Sequence, residues 1–246
     1  NISNGRMFAV DYPGASSDRE QAARARLRME IEPVVEIMQH KGDSECRNGL
    51  EGVLGAVDEL CDFEKFENMA LLLKNDSLDE VGQCYNGPLA DWLPHLGPSC
   101  LDRKSYVRYA LVEGLREEER IGVNPFKFGL SASTDTHNGL AGGVQEGSFP
   151  GHLGNGDSTA VQRVQFSNKI PGNASNNAGG LIGVYAEENS RDSIFDALQR
   201  KEVFGTSGPR ITPRFFGGWD LAPGLCREPA MLEQAYATGV PMGADL

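Results

Sequence analysis

The sequence predicts an α/β fold, and three observations carry that prediction. Short apolar, β-branched runs such as "EPVVEIMQ" and "GGLIGVYAEE" are bounded by polar breaks. Longer stretches with helical periodicity, above all 18–30 and 102–120, lie between them. The two kinds alternate, and no internal repeat or low-complexity block interrupts them. With 246 residues, 39% of them hydrophobic, the chain is long enough for one large domain, or a domain with a lobe, around a real core.

Residues 18–30, "DREQAARARLRME", open on an aspartate suited to capping and continue with strong helix formers, which predicts a first helix. The run 32–39 is short and apolar and breaks at "HKGDSE", the pattern of a buried strand feeding a loop. Residues 46–100 scatter Gly, Pro, Asn and Asp between short helical pieces such as "FEKFENMALLLK", which predicts a loop-rich excursion. Helical periodicity returns over 102–120, with Tyr106, Tyr109, Ala110 and Leu115 available for a buried face. "PFKFGLSAST" then supplies a second strand. A long Gly/Asn/Ser-rich surface loop is expected over 139–180, a strand in "GGLIGVYAEE", and a helix in "NSRDSIFDALQRKE" capped by Asn189 or Ser190. "VFGTSGPRITPRFFGG" reads as a short strand, a tight Gly-Pro turn and another strand.

Charge excludes one class of function. Thirty-five acidic residues against 23 basic give a net charge of −12, and the basic residues form no stripe that would track a polyanion, so no nucleic-acid partner is expected. No apolar run approaches the ~20 residues needed to cross a bilayer. The start, "NISNGRMF", has neither a basic region nor a long apolar centre, and the end, "GVPMGADL", lacks a charged tail, so the sequence reads as a piece of a longer chain. Five cysteines have no spacing of a structural zinc site. Four of them, Cys46, Cys61, Cys84 and Cys100, fall in the loop-rich stretch, which suits one or two disulfides in a periplasmic or secreted protein; buried free thiols in a cytoplasmic enzyme are the alternative. "NAS" at 173–175 is formally a glycosylation triplet. No nucleophile elbow, phosphate-binding P-loop or dinucleotide fingerprint is present.

The chemistry-bearing residues collect at two strand ends. In "GLSASTDTHNG", Asp135 and His137 are two places apart, so in a strand they face the same way and could share one cation. Carboxylate oxygen and imidazole nitrogen suit Zn, Mn or Fe; the alternative for such a pair is a structural Asp-His hydrogen bond. In "EIMQHKGDSE", Glu36, Met38 and His40 share one parity while Lys41, Ser44 and Glu45 crowd the exit. Glu36 reads either as a ligand or as a buried carboxylate bracing neighbouring loops, and His40 either as a ligand or as a solvated loop histidine. Lys41 and Arg210 are candidates to hold an oxyanion such as phosphate or sulfate. His95 and His152 sit beside Pro or Gly in loops and read as solvated, although a long loop could bring His152 over the site.

Several long motifs, in order, carry a resemblance: "EPVVEIMQHKGDSEC", "NPFKFGLSASTDTHNG", "GGLIGVYAEENSRDSIFDALQRKEVFGTSGPRI" and "GVPMGADL". They resemble the bacterial family catalogued as domain of unknown function 3604, which is similar to the PHP (polymerase and histidinol phosphatase) metallohydrolases. The resemblance implies part of a distorted seven-stranded βα barrel over 1–246, lacking its N-terminal strands. The excursion at 46–100, the long loop at 139–180 and the start of a C-terminal extension over 211–246 would ornament it. It further implies two or three divalent metals (Mn, Zn or Fe) and hydrolysis of small-molecule phosphoester-type substrates. Asp135 and His137 match the last metal motif, and His40 is a third candidate ligand. Glu36 and Glu45 become candidate catalytic groups that orient a ligand or take a proton, and Gln39, Lys41, Ser207 and Arg210 candidate substrate contacts. The family's early H-x-H motif and its later histidines are absent from this chain. The resemblance therefore implies a C-terminal portion, inactive unless the missing N-terminal half joins it. A non-catalytic binding or structural fragment, with the D-x-H a relic, is one alternative; the same metal site acting on a sulfate ester, phosphonate ester or amide is another.

Overall fold

The computed structural model describes residues 6–40, 42–48, 59–62, 84–85, 99–100, 102–152, 154, 157–164 and 177–246. Helix α1 (Asp18–Ile31) starts where the sequence predicts, because Ser17 and Glu20 form a reciprocal capping box. Strand β1 (Val34–Gln39) follows and turns back through the two-residue β2 (Gly42–Asp43). In the excursion a 3-10 turn spans Glu59–Asp62, and β3 (Cys84–Tyr85) forms a short antiparallel ladder with β4 (Ser99–Cys100).

Helix α2 (Val107–Ile121) leads to β5 (Gly129–Ala132), which pairs in parallel with β1. After the short α3 (Ala160–Val164) come β6 (Leu181–Val184), α4 (Arg191–Gln199, capped by Ser190) and β7 (Val203–Thr206). β6 and β7 pair antiparallel. The tail adds β8 (Phe216–Gly217), α5 (Met231–Thr238) and β9 (Val240–Pro241), the two strands pairing antiparallel.

The expected seven-stranded βα barrel is not the architecture. Among the described residues the largest sheet has three strands, ordered β2-β1-β5, the remaining sheets have two each, and none closes. A barrel requires a ladder on both edges of every strand. Here β1 has β5 along one edge and β2 only at Met38 and Gln39 on the other, while β6 and β7 run antiparallel as a separate pair. That pair still lies against β5. A Cβ on Gly205 of β7 would sit 2.7 Å from the Ser131 carbonyl carbon, so only glycine permits this approach.

The core lies beneath β1 and β5. Val107 and Ala110 of α2 pack with Phe8 and Phe126, and Val35, Ile37 and Phe128 close over them. Phe126 meets Phe8 edge to face at 5.8 Å, a favoured aromatic geometry. The buried face of α2 differs from the expected one: Leu115 is 63% exposed, whereas Val107, Ala110, Gly114 and Glu117 are buried at helical spacing. Glu117 tolerates this because Tyr12 Oη donates to it at 2.9 Å and Arg120 at 2.7 Å. Burial alone would raise its pKa, yet those donors hold it below the ordinary carboxylate value. Cys46 and Cys61 form a disulfide with Cα atoms 5.2 Å apart, packed on Tyr106 and Tyr109. Cys226 is an exposed free thiol. In the tail, Arg214 stacks on Tyr185 at 3.5 Å, which ties the segment after β7 to the main body.

Candidate functional site at the shared end of two parallel strands

Because β1 and β5 are parallel, their C-terminal ends open at the same end of the sheet, the usual place for a site in α/β proteins. The backbone stays knitted beyond the ladder: Ser133 N donates to Met38 O at 3.0 Å, and Gly180 N to Ser133 O at 2.7 Å. Asn177 N donates to His40 O at 2.8 Å, which brings the chain preceding β6 to the same place.

Strict strand alternation fails at both ends, for identifiable reasons. A register shift between Glu36 and Met38 pairs them with the consecutive residues Ser131 and Ala132, leaving Ile37 as the extra residue of a bulge. Glu36 is consequently exposed while Met38 is buried, despite their shared parity. β5 ends at Ala132, and Asp135 beyond it has φ +50°. Asp135 and His137 are thus loop residues, and their orientation comes from that turn rather than from the pleat. Aspartate is among the few non-glycine residues that tolerate the left-handed region.

Four side chains nevertheless gather here. His40 Nε2 and Asp135 Oδ2 are 3.2 Å apart. The His40 ring stacks on His152, centroids 3.7 Å apart and planes inclined by 33°. His137 meets His152 edge to face at 4.7 Å, and His137 N donates to His152 O at 2.8 Å. His152 is buried, at 5% exposure, so the expectation of a solvated loop histidine does not hold. Its pKa is lowered, first because burial penalises the imidazolium and then because His40 and His137 lie beside it. The imidazole is therefore held neutral, the form that binds metals. His40 Nδ1 and His152 Nδ1 are both buried and have no hydrogen-bond partner among the described residues.

Glu36 accepts from Ser133 Oγ, and Gln39 Nε2 reaches Glu36 at 3.5 Å. Both line a cavity of about 540 Å³, together with Phe8, Val35, Phe195 and the charged Arg28 and Glu32. Glu45 is engaged elsewhere: Arg108 binds its carboxylate through Nη2 at 2.6 Å and Nε at 3.2 Å. With Ser207 it lines a second cavity of about 260 Å³ between β1 and β7. Arg210 is exposed on the segment after β7. Lys41, His95 and the 173–175 triplet lie outside the described residues. Of the candidates, then, His40, Asp135 and His137 come together, Glu36 and Gln39 stand beside each other, and Glu45 and Ser207 share a different cavity.

A family model described as "Protein of unknown function (DUF3604)" matches residues 1–246. The chain belongs to the DUF3604 family. Searches of curated proteins and of solved structures found no match. Among the described residues of this DUF3604 chain, no three His, Cys, Asp or Glu side chains are disposed to hold a metal ion as they stand, and no helix is long and apolar enough to cross a membrane.

Proposed function

We propose that this DUF3604 chain carries part of the site of a divalent-metal-dependent hydrolase, most simply a phosphoesterase. The observation that supports it is the gathering of three of the chain's four histidines with Asp135 at the shared end of β1 and β5. The donor set fits a transition metal by its chemistry, since imidazole nitrogen and carboxylate oxygen suit Zn, Mn or Fe. The orphaned nitrogens fit as well. A buried polar atom left unbonded costs about 1–3 kcal/mol, and a bound cation would use it.

On this reading His40, Asp135 and His137 hold metal, and the similarity of the motifs to PHP metallohydrolases implies further ligands beyond these. A bound metal would polarise a phosphoryl oxygen and lower the pKa of a water toward ~7. The chain's own groups set the surroundings. Glu36, accepting from Ser133 and Gln39, would orient a ligand or take a proton at the site's edge. Lys41 and Arg210 are the proposed contacts to substrate charge, whereas Glu45, paired with Arg108, and Ser207 line the separate cavity and would act only on a substrate long enough to reach it. The Cys46–Cys61 disulfide favours a periplasmic or extracellular setting.

A structural reading has one observation in its favour: the His40–Asp135 pair and the stacked rings already connect β1, β5 and the loop after β5 without any ion. Assaying the full-length gene product on aryl phosphate mono- and diesters with added Mn²⁺ or Zn²⁺ separates the two. The hydrolase reading expects metal-dependent turnover that Asp135→Ala with His137→Ala abolishes. Absence of metal-dependent turnover on phosphate, sulfate and phosphonate esters alike would favour the structural one.

A further inference from the structure

Resting on the metal reading above, we propose that His152 supplies an additional metal ligand, delivered by the loop after β5 and using its Nδ1 nitrogen. A histidine buried in a core normally has both ring nitrogens satisfied or one turned to solvent. His152 does neither at Nδ1: it is 5% exposed, and that atom has no partner among the described residues.

The loop is built to keep the ring there. His152 N donates to Asp157 Oδ2 at 2.7 Å, and Asp157 is itself 1% exposed. Asn138 Nδ2 donates to Gly151 O at 2.5 Å, and His137 N to His152 O at 2.8 Å. The preceding residue must be glycine, because φ at Gly151 is +90° and a Cβ there would lie 2.4 Å from Asp157 O. Three hydrogen bonds and a glycine turn thus fix the peptide planes on either side of His152. They hold its ring between His40, at 3.7 Å, and His137, at 4.7 Å. Positioning of this kind suits a ligand, whose donor atom must be held within a fraction of an ångström. A residue that merely fills space needs neither a buried aspartate nor a left-handed glycine to aim it.

The test is Co²⁺ and Zn²⁺ binding to the full-length gene product, as wild type, His152→Ala, and Asp135→Ala with His137→Ala. Bound metal is read by elemental analysis and the Co²⁺ d–d spectrum. Wild type is expected to bind metal. His152→Ala should weaken that binding at least about tenfold, since even outer-shell partners of ligands are worth 10–100-fold, and should alter the d–d band. X-ray absorption of the Zn²⁺-loaded wild type and of His152→Gln, which keeps a polar side chain of similar reach, should differ by one imidazole around the metal. Unchanged affinity and spectrum in His152→Ala, or the same imidazole count in wild type and His152→Gln, overturns the proposal and leaves the metal reading standing. A wild type that binds no metal overturns both.

Discussion

The imidazoles of His40 and His152 stack at 3.7 Å, and neither ring's Nδ1 has a hydrogen-bond partner among the described residues. One ring sits at the end of β1 and the other in the loop after β5, so the contact joins two distant parts of the chain through polar groups. Stacking supplies van der Waals attraction, but it does not satisfy the nitrogens. The arrangement therefore makes definite demands on the groups around it.

Asp157 should prove necessary for the placement of His152. Asp157→Ala removes the acceptor for His152 N and leaves a buried donor unpaired, a loss of about 1–3 kcal/mol. Asp157→Asn keeps an acceptor oxygen and should lose less. Urea denaturation of the two variants against wild type checks both the sign and the order.

Acid should destabilise the protein through His152. Its folded-state pKa is depressed below the ordinary 6.5, so as pH falls through 6.5 the unfolded chain takes up a proton that the folded chain resists. This contribution to stability is fully present above pH 6.5 and is lost as pH falls toward the lower folded value. His152→Gln should therefore show a shallower loss of stability than wild type between pH 7.5 and 5.5. Denaturant midpoints at several pH values measure the difference.

The Cys46–Cys61 bridge spans 15 residues. By the chain-entropy argument it stabilises by about 3 kcal/mol. Cys46→Ser with Cys61→Ser, or reduction of the wild type, should lower the denaturation midpoint accordingly. Equal midpoints with and without reductant would show that the bridge contributes nothing.

Most elements near the site were legible because they rest on local signals. The helix formers of α1, the β-branched run of β1 and the Ser190 cap of α4 each predict their element within a few residues, although α1 is capped by Ser17 and not by the expected Asp18. The clustering was partly legible: Asp135, His137 and His40 stand at strand exits and come together. What failed depends on tertiary structure. Parity arguments missed the bulge at Ile37 and the left-handed Asp135. Leu115 was assigned to the buried face because sequence does not reveal that Tyr12 and Arg120 let Glu117 take the inner position. The second strand expected in "VFGTSGPRITPRFFGG" is only Phe216–Gly217, whose partner β9 lies further along the chain. The one signal for His152 was its loop, with Gly151 before it and Asp157 after it, and only the folded backbone shows that these two close the turn.

The most direct test of the central claim is metal content. The full-length gene product, purified, stripped with chelator and reloaded with Mn²⁺ or Zn²⁺, is analysed beside Asp135→Ala with His137→Ala. The account predicts stoichiometric metal in the wild type and a clear fall in the double variant, with both proteins folded by circular dichroism. A wild type that remains metal-free after reloading, or a double variant that retains the full complement, would contradict it and leave the histidine cluster a structural feature of the DUF3604 fold.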